Sequence, residues 1–203
     1  MAYTGLLGPS GTLAARKIKA PTAPFSWKVR NTTRWAFVFG WFANQLAKGL
    51  TLLTGIPTIT SELRGKVIKA DGRVIDYGTL GYRVVTNAGV AFLVDDWDDD
   101  STDITDMDYH GMGTGSTAEN AADTAIETEV ETRNQGTATQ PSANVLQSVG
   151  TVSATEARVI VEHGLLSAST SGTLWDRTLF SAINLANGDS IQFTYQCTLT
   201  AGS

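Results

Sequence analysis

The sequence predicts a mainly β protein: a β-sandwich or jelly-roll-like body with one or two helices and an extended N-terminal arm. Three observations carry this. Charged residues make up only 17% of the chain, while Thr, Ser, Asn and 20 Gly fill the uncharged polar fraction. Thr suits a half-buried pleated surface and Gly supplies turn conformations. From Ile104 onward, short β-rich runs of eight to twelve residues alternate with turn signals. Apolar residues reach 42% of the 203, enough for a core, and no fixed-period repeat is visible.

Residues 1–31 read as the arm, because Pro9, Pro21 and Pro24 alternate with Gly5, Gly8 and Gly11 and block regular elements. The body is expected over residues 32–203. A helix is expected near 34–53, where Trp35, Phe39, Phe42, Leu46, Leu50 and Leu53 recur at spacings of three and four. That helix can pack on its own body or on a neighbouring subunit. Lys66–Asp76 reads as a hairpin around Asp71-Gly72, a pair that suits positive φ at both central residues. Tyr82–Thr86 reads as a further strand. A second helix is expected over 87–98, from Val90, Leu93, Val94 and Trp97, with Thr86 or Asn87 as its cap.

Strands are then expected at Met107–Met112, Ile126–Arg133, Val145–Val152, Ala157–Leu166, Thr178–Leu185 and Ser190–Leu199. In the last, Ile191, Phe193, Tyr195 and Cys197 alternate with Gln192, Thr194 and Gln196. The spacing Ser116-Thr-Ala-Glu119 predicts a short helical turn through a capping box.

Composition excludes several chemistries. One cysteine forbids an intrachain disulfide and any cysteine-built metal cluster. Two histidines forbid a three-histidine site. Met1–Gly11 lacks an early positive charge ahead of an apolar stretch, so no signal peptide is expected. Trp35–Ile56 is the one membrane-like stretch, and Asn44, Gln45 and Lys48 near its middle argue against a span. No membrane partner is expected.

Charge is divided. Residues 1–69 hold ten Lys and Arg against the single acid Glu62, about +9, and the remainder holds five against nineteen acids, about −14. Such a basic segment is expected to dock on an acidic protein surface, including a neighbouring copy of the same chain. Nucleic acid is the weakest partner, since no compact aromatic-plus-basic stacking motif accompanies the charges.

The motifs with chemical content each have a plainer reading. Asp96, Asp98 and Asp100 have the first three spacings of a calcium loop, but Ser101 and Met107 stand where Gly and Glu are needed. They are a weak calcium candidate, and no cofactor is otherwise expected. Gly111-Met-Gly113-Thr-Gly115 lacks the last spacing of a dinucleotide fingerprint and the Lys of a phosphate loop, and reads as a turn. His110 and His163 could each act as a general base. Glu162 adjoins His163, but neighbours on a strand face opposite ways. Cys197 reads as core. No enzyme is expected.

The order Tyr109-His-Gly-Met-Gly-Thr-Gly115, Asp123-Thr-Ala-Ile-Glu127-Thr-Glu129, Val149-Gly-Thr-Val-Ser153, Val161-Glu-His-Gly-Leu-Leu-Ser167, Leu174-Trp-Asp-Arg177 and Gly188-Asp-Ser-Ile-Gln-Phe-Thr-Tyr195 resembles a group of small virion structural proteins of tailed bacteriophages. The resemblance spans roughly Thr86 to the C-terminus and carries no catalytic residues. It implies location in the phage particle and contact with the major capsid protein or other virion proteins, with a homo-oligomer expected. The first expectation is a capsid decoration or cement protein. Its arm would tie neighbouring subunits through Arg16, Lys17, Lys19, Lys28 and Arg30, with Phe25 and Trp27 as apolar plugs. A tail, baseplate or head–tail connector component is the alternative, and a calcium-dependent host-surface binding module a further one.

Overall fold

The computed structural model describes residues 41–43, 45–47, 49, 58–82, 84–98 and 106–201. The arm, with Arg16, Lys17, Lys19, Phe25, Trp27, Lys28 and Arg30, lies outside the described residues, as does Asp100. Among the described residues, ten strands form two five-stranded antiparallel sheets. They are β1 (Thr58–Ile68), β2 (Val74–Tyr82), β3 (Val84–Val85), β4 (Tyr109–Gly113), β5 (Glu129–Gln135), β6 (Thr137–Ser142), β7 (Val145–Ser153), β8 (Arg158–Leu166), β9 (Leu174–Leu185) and β10 (Ser190–Thr200). One sheet has the order β2-β1-β10-β7-β6, the other β3-β9-β8-β4-β5. The helix α1 (Asn87–Asp98) joins β3 to the second half of the fold. Residues 41–43, 45–47 and 49 are helical, within the helix expected over 34–53.

The core lies between the sheets because alternation aims one side of each strand inward. In β10, Ile191, Phe193, Tyr195 and Cys197 are buried, and the intervening Gln192, Thr194 and Gln196 sit half-exposed on the outer face. β1 pairs along its whole length with β10, setting Leu63 opposite Tyr195 and Val67 opposite Ile191. Each such buried side chain contributes about 1.5–3 kcal/mol. Gly65 has the same inward parity, and a Cβ there would stand 2.7 Å from Leu80 Cδ1. The glycine lets Leu80 of the edge strand reach the core. Cys197 is buried and its thiol is pushed up to about 11 by burial.

Helix α1 begins at Thr86. The Gly89 amide donates to Thr86 Oγ1 (2.9 Å), and that hydroxyl donates to the Leu174 carbonyl (2.5 Å). One side chain thus caps the helix and ties it to β9. A Cβ on Gly89 would meet the Trp175 carbonyl oxygen at 2.7 Å, so the glycine sets how closely α1 lies on β9.

Several boundaries differ from expectation. The β1–β2 turn has positive φ at Gly72 alone, not at Asp71. Gly72 N donates to Lys69 O and Lys69 N to Arg73 O, so the loop is one residue longer than a two-residue turn. β1 begins at Thr58, and its first half was missed because Thr, Ser and Glu occupy it. β6 was missed as well: all six residues are exposed and Pro141 interrupts it. Pro belongs on such an edge strand. β4 and β5 start two and three residues later than expected. The turn expected at Ser116 does not form: residues 114–116 have no regular structure, and Glu119 accepts from the Leu179 amide at 2.5 Å instead of capping.

Asp189 joins two turns. Its carboxylate accepts from Lys69 Nζ (2.6 Å), Ala70 N (3.0 Å) and Ala186 N (2.8 Å), holding the β1–β2 turn to the β9–β10 turn. The Lys69 ammonium and these amides hold its pKa down to about 2. Asp189→Ala is expected to lower unfolding free energy by about 1–3 kcal/mol, the cost of stranding these donors, read as a lower urea midpoint at unchanged m-value.

Candidate functional site

β8 lies third in its sheet and carries Glu162 and His163 in succession, so the two side chains leave on opposite faces. His163 enters the space between the sheets. Its Nε2 is 3.0 Å from Nδ1 of His110 on β4, and Nε2 of His110 is 2.9 Å from Ser148 Oγ on β7 of the other sheet. Both imidazoles are fully buried. Phe193 lies parallel to His110 at 6.3 Å between centroids and tilted against His163 at 4.5 Å. Two glycines make this space. A Cβ on Gly150 would stand 2.3 Å from His110 Cδ2, and one on Gly136 2.5 Å from Ser148 Oγ. Burial pushes the His110 pKa down to about 3. The pair links β4 to β8 within one sheet, and His110, kept neutral by burial, bonds that sheet to β7 of the other through Ser148 Oγ. It has no exposed atom with which to take a proton from a substrate.

On the other face, Glu162 is also fully buried. Its Oε1 accepts from the amides of Gly115 (2.7 Å) and Thr128 (2.8 Å). Its Oε2 accepts from Arg177 Nε (2.8 Å) and the Glu127 amide (3.1 Å). Arg177, on β9 and 2% exposed, also reaches Asp123 and Glu127, each at 3.1 Å. The loop of residues 114–128 is thereby fastened over the sheet. Thr117 donates both its amide (2.8 Å) and its hydroxyl to Glu127, and these bonds hold that carboxyl below its usual range.

The glycine-rich run acquires a purpose here. A Cβ on Gly113 would stand 2.4 Å from Glu162 Oε1, and one on Gly115 2.5 Å from it. The run is half strand, half loop, and it cradles an anion, as glycine-rich backbone does. The anion is the chain's own Glu162.

Recesses open on both faces of the described residues. One, about 370 Å³, lies beside Arg177 and is lined by Thr117, Asp123, Ile126 and Glu127. Another, about 380 Å³, runs over the outer face of β1, β10 and β7 between Arg64, Lys66, Asp76, Gln147, Gln192 and Gln196. Neither is lined by a histidine or cysteine. Asp96 and Asp98 fall in the last turn of α1. Among the described residues, no group of three or more His, Cys, Asp or Glu is placed to hold a metal ion. Among the described residues, no helix is long and apolar enough to cross a membrane.

Sequence reasoning placed His110 and His163 as separate candidates and the structure brings them together. It missed Ser148, Asp123 and the Glu162–Arg177 pair. The signal was present: Arg177 and Glu162 interrupt apolar strands, and a charge buried in a strand demands a partner.

Two outcomes follow. Arg177→Met is expected to cost about 3–5 kcal/mol in urea unfolding, because it leaves the Glu162 carboxylate buried without its cation. Pairing it with Glu162→Gln should recover part of that loss, measured as a double-mutant cycle. The pH dependence has a definite sign. His110 is depressed when folded, so the unfolded chain binds the extra proton below about pH 6.5. Stability is then full above 6.5 and falls toward pH 3, by at most about 1.4 kcal/mol per pH unit for this group. Between 6.5 and 4.5 the depressed carboxyls of Glu127, Glu131 and Asp189 add little slope, while Asp108, raised by burial, acts with the opposite sign, so the melts are made in an Asp108→Asn background. Urea melts flat over that window would contradict a buried neutral His110.

No family model, curated protein or solved structure matches the chain.

Proposed function

We propose that this chain is a structural protein of a tailed-phage particle, a decoration or cement protein that binds the capsid lattice and ties neighbouring subunits through its basic N-terminal segment. One observation supports this most directly. The residues on which the phage resemblance rests are the ones that hold the fold together. His110, Gly113, Gly115, Asp123, Glu127, Gly150, Glu162, His163, Arg177, Asp189 and Phe193 are spent on internal hydrogen bonds, ion pairs and packing. Motifs consumed in this way serve a scaffold. Asp123 and Glu127, which line the recess beside Arg177, are themselves bound to that guanidinium.

What such a chain offers a partner is surface and charge. Its basic segment and acidic body suit repeated copies at high local concentration, where many weak contacts add. Arg16, Lys17, Lys19, Lys28 and Arg30 would supply the charged anchors, with Phe25 and Trp27 as the buried contacts.

Quantitative mass spectrometry of purified particles tests the proposal. One copy per major shell subunit, or one per three, is the expected result. A few copies in multiples of about six or twelve would move the protein to a tail, baseplate or connector ring. Absence from particles would overturn both. Deleting residues 1–31 is expected to leave the body's melting temperature unchanged and abolish incorporation; an unfolded truncation would place that segment in the core.

A further inference from the structure

Two helical segments leave apolar faces on the outside. In α1, Phe92 and Leu93 pack against the core, while Val90 and Val94, one turn apart, are 48% and 53% exposed. In the helical residues near the N-terminus, Trp41, Phe42 and Leu46 are 44%, 53% and 71% exposed. Phe42 and Leu46 are again one turn apart, and the Trp41 ring stands edge-on to Phe42 at 5.2 Å. Single exposed apolar residues are ordinary, but paired stripes at helical spacing on two helices are not.

The surroundings of the two stripes differ in sign. Residues 1–57 carry seven Lys and Arg and no acid. Residues 84–132 carry thirteen acids and no Lys or Arg. Val94 is followed at once by Asp95 and Asp96, then by Asp98, Asp99 and Asp100. Asp95 and Asp96 lie in the last turn of α1, at the negative end of its dipole, where a cation is the stabilising neighbour. Like pairing with like is opposed: α1 against α1 would bring two acidic runs together, and the N-terminal helix against itself would bring two basic segments together. Ala91 is exposed beside Val90 and Val94 and extends the apolar face. Within one chain, both faces are open.

We propose that the helical segment of residues 41–49 docks through Phe42 and Leu46 onto the Val90–Val94 face of α1 in a second copy of this chain. The contact is heterologous, a donor on one copy and an acceptor on the next, so it propagates into rings or rows. It is a property of the chain alone and does not rest on the particle reading, which stands or falls by copy number.

The experiment is light scattering on size-exclusion peaks of the full chain at about 50 mM and about 500 mM salt. Wild type is expected above the 21.6 kDa of one protomer at low salt, with weaker association at high salt as charges are screened. Leu46→Glu removes the donor and Val94→Arg the acceptor. Each is expected to weaken association about tenfold or more. Mixed one to one, the two variants retain one donor and one acceptor between them. They should form a heterodimer of twice the protomer mass and stop there. Both positions are exposed, so melting temperatures should match wild type; if either variant is unfolded, Phe42→Gln and Val90→Gln replace the pair. A monomeric wild type at low salt, single variants that assemble as wild type does, or a mixture that stays monomeric would each overturn the proposal.

Discussion

The carboxylate of Glu162 is the constraint around which the second sheet is arranged. A buried carboxylate is tolerable only when its lone pairs are filled. Three backbone amides and the Arg177 guanidinium fill them here. Those donors come from β9 and from the loop that links β4 to β5, so the carboxylate closes a long connection that has no regular structure of its own. Glycines at 113 and 115 are the steric condition for this arrangement. Arg177, in turn, gathers Asp123 and Glu127, which brings the outer part of the loop down.

Glu162 and His163 together also fix the register of β8. A slip of one residue would exchange their faces. The carboxylate would then lie against Phe193 with no cation, and Arg177 Nε would face an imidazole in place of a carboxylate. Either misplacement strands a buried charge, at a cost of several kcal/mol. An apolar pair at these positions would carry no such discrimination. The polar groups thus act on specificity of pairing, while Ile160, Ile183, Ile191 and Phe193 supply the burial that stabilises any compact state.

What could be read from the sequence followed from where the physics is local. β10 was plain because its alternation is regular and its pairing with β1 and β7 leaves one face dry. α1 was legible from its Thr86 cap and helical spacing, but not its buried face: Val90 and Val94 of the expected stripe are exposed, and Phe92 packs inward beside Leu93. β6 was invisible because an exposed edge strand has no apolar face to reveal it, and its hydrogen bonds to β7 are decided by the partner. Ser116-Thr-Ala-Glu119 has the spacing of a helix start, yet Glu119 finds the Leu179 amide 60 residues away in sequence. A local signal lost to a long-range bond that a single sequence does not display. The histidines were noticed as chemistry, but burial at the junction of the two sheets converts them to structure.

The division of charge completes the physical picture. Individual exposed ion pairs contribute little, about 0–1 kcal/mol each, and salt weakens them further. Ten cations in the first third of the chain cannot by themselves hold an assembly at physiological ionic strength. In the proposed assembly they would set direction, drawing a basic segment toward an acidic body and keeping two acidic bodies apart. The apolar side chains in the same segment then decide whether an encounter persists, because their burial is insensitive to screening. A chain built this way separates two tasks. The sandwich binds the charges of Glu162, Arg177 and Asp189 internally, and the sequence outside it supplies basic, aromatic and aliphatic residues. Such a separation suits a protein whose partner is repeated many times over a surface, where each contact is weak and the geometry of the array supplies the rest.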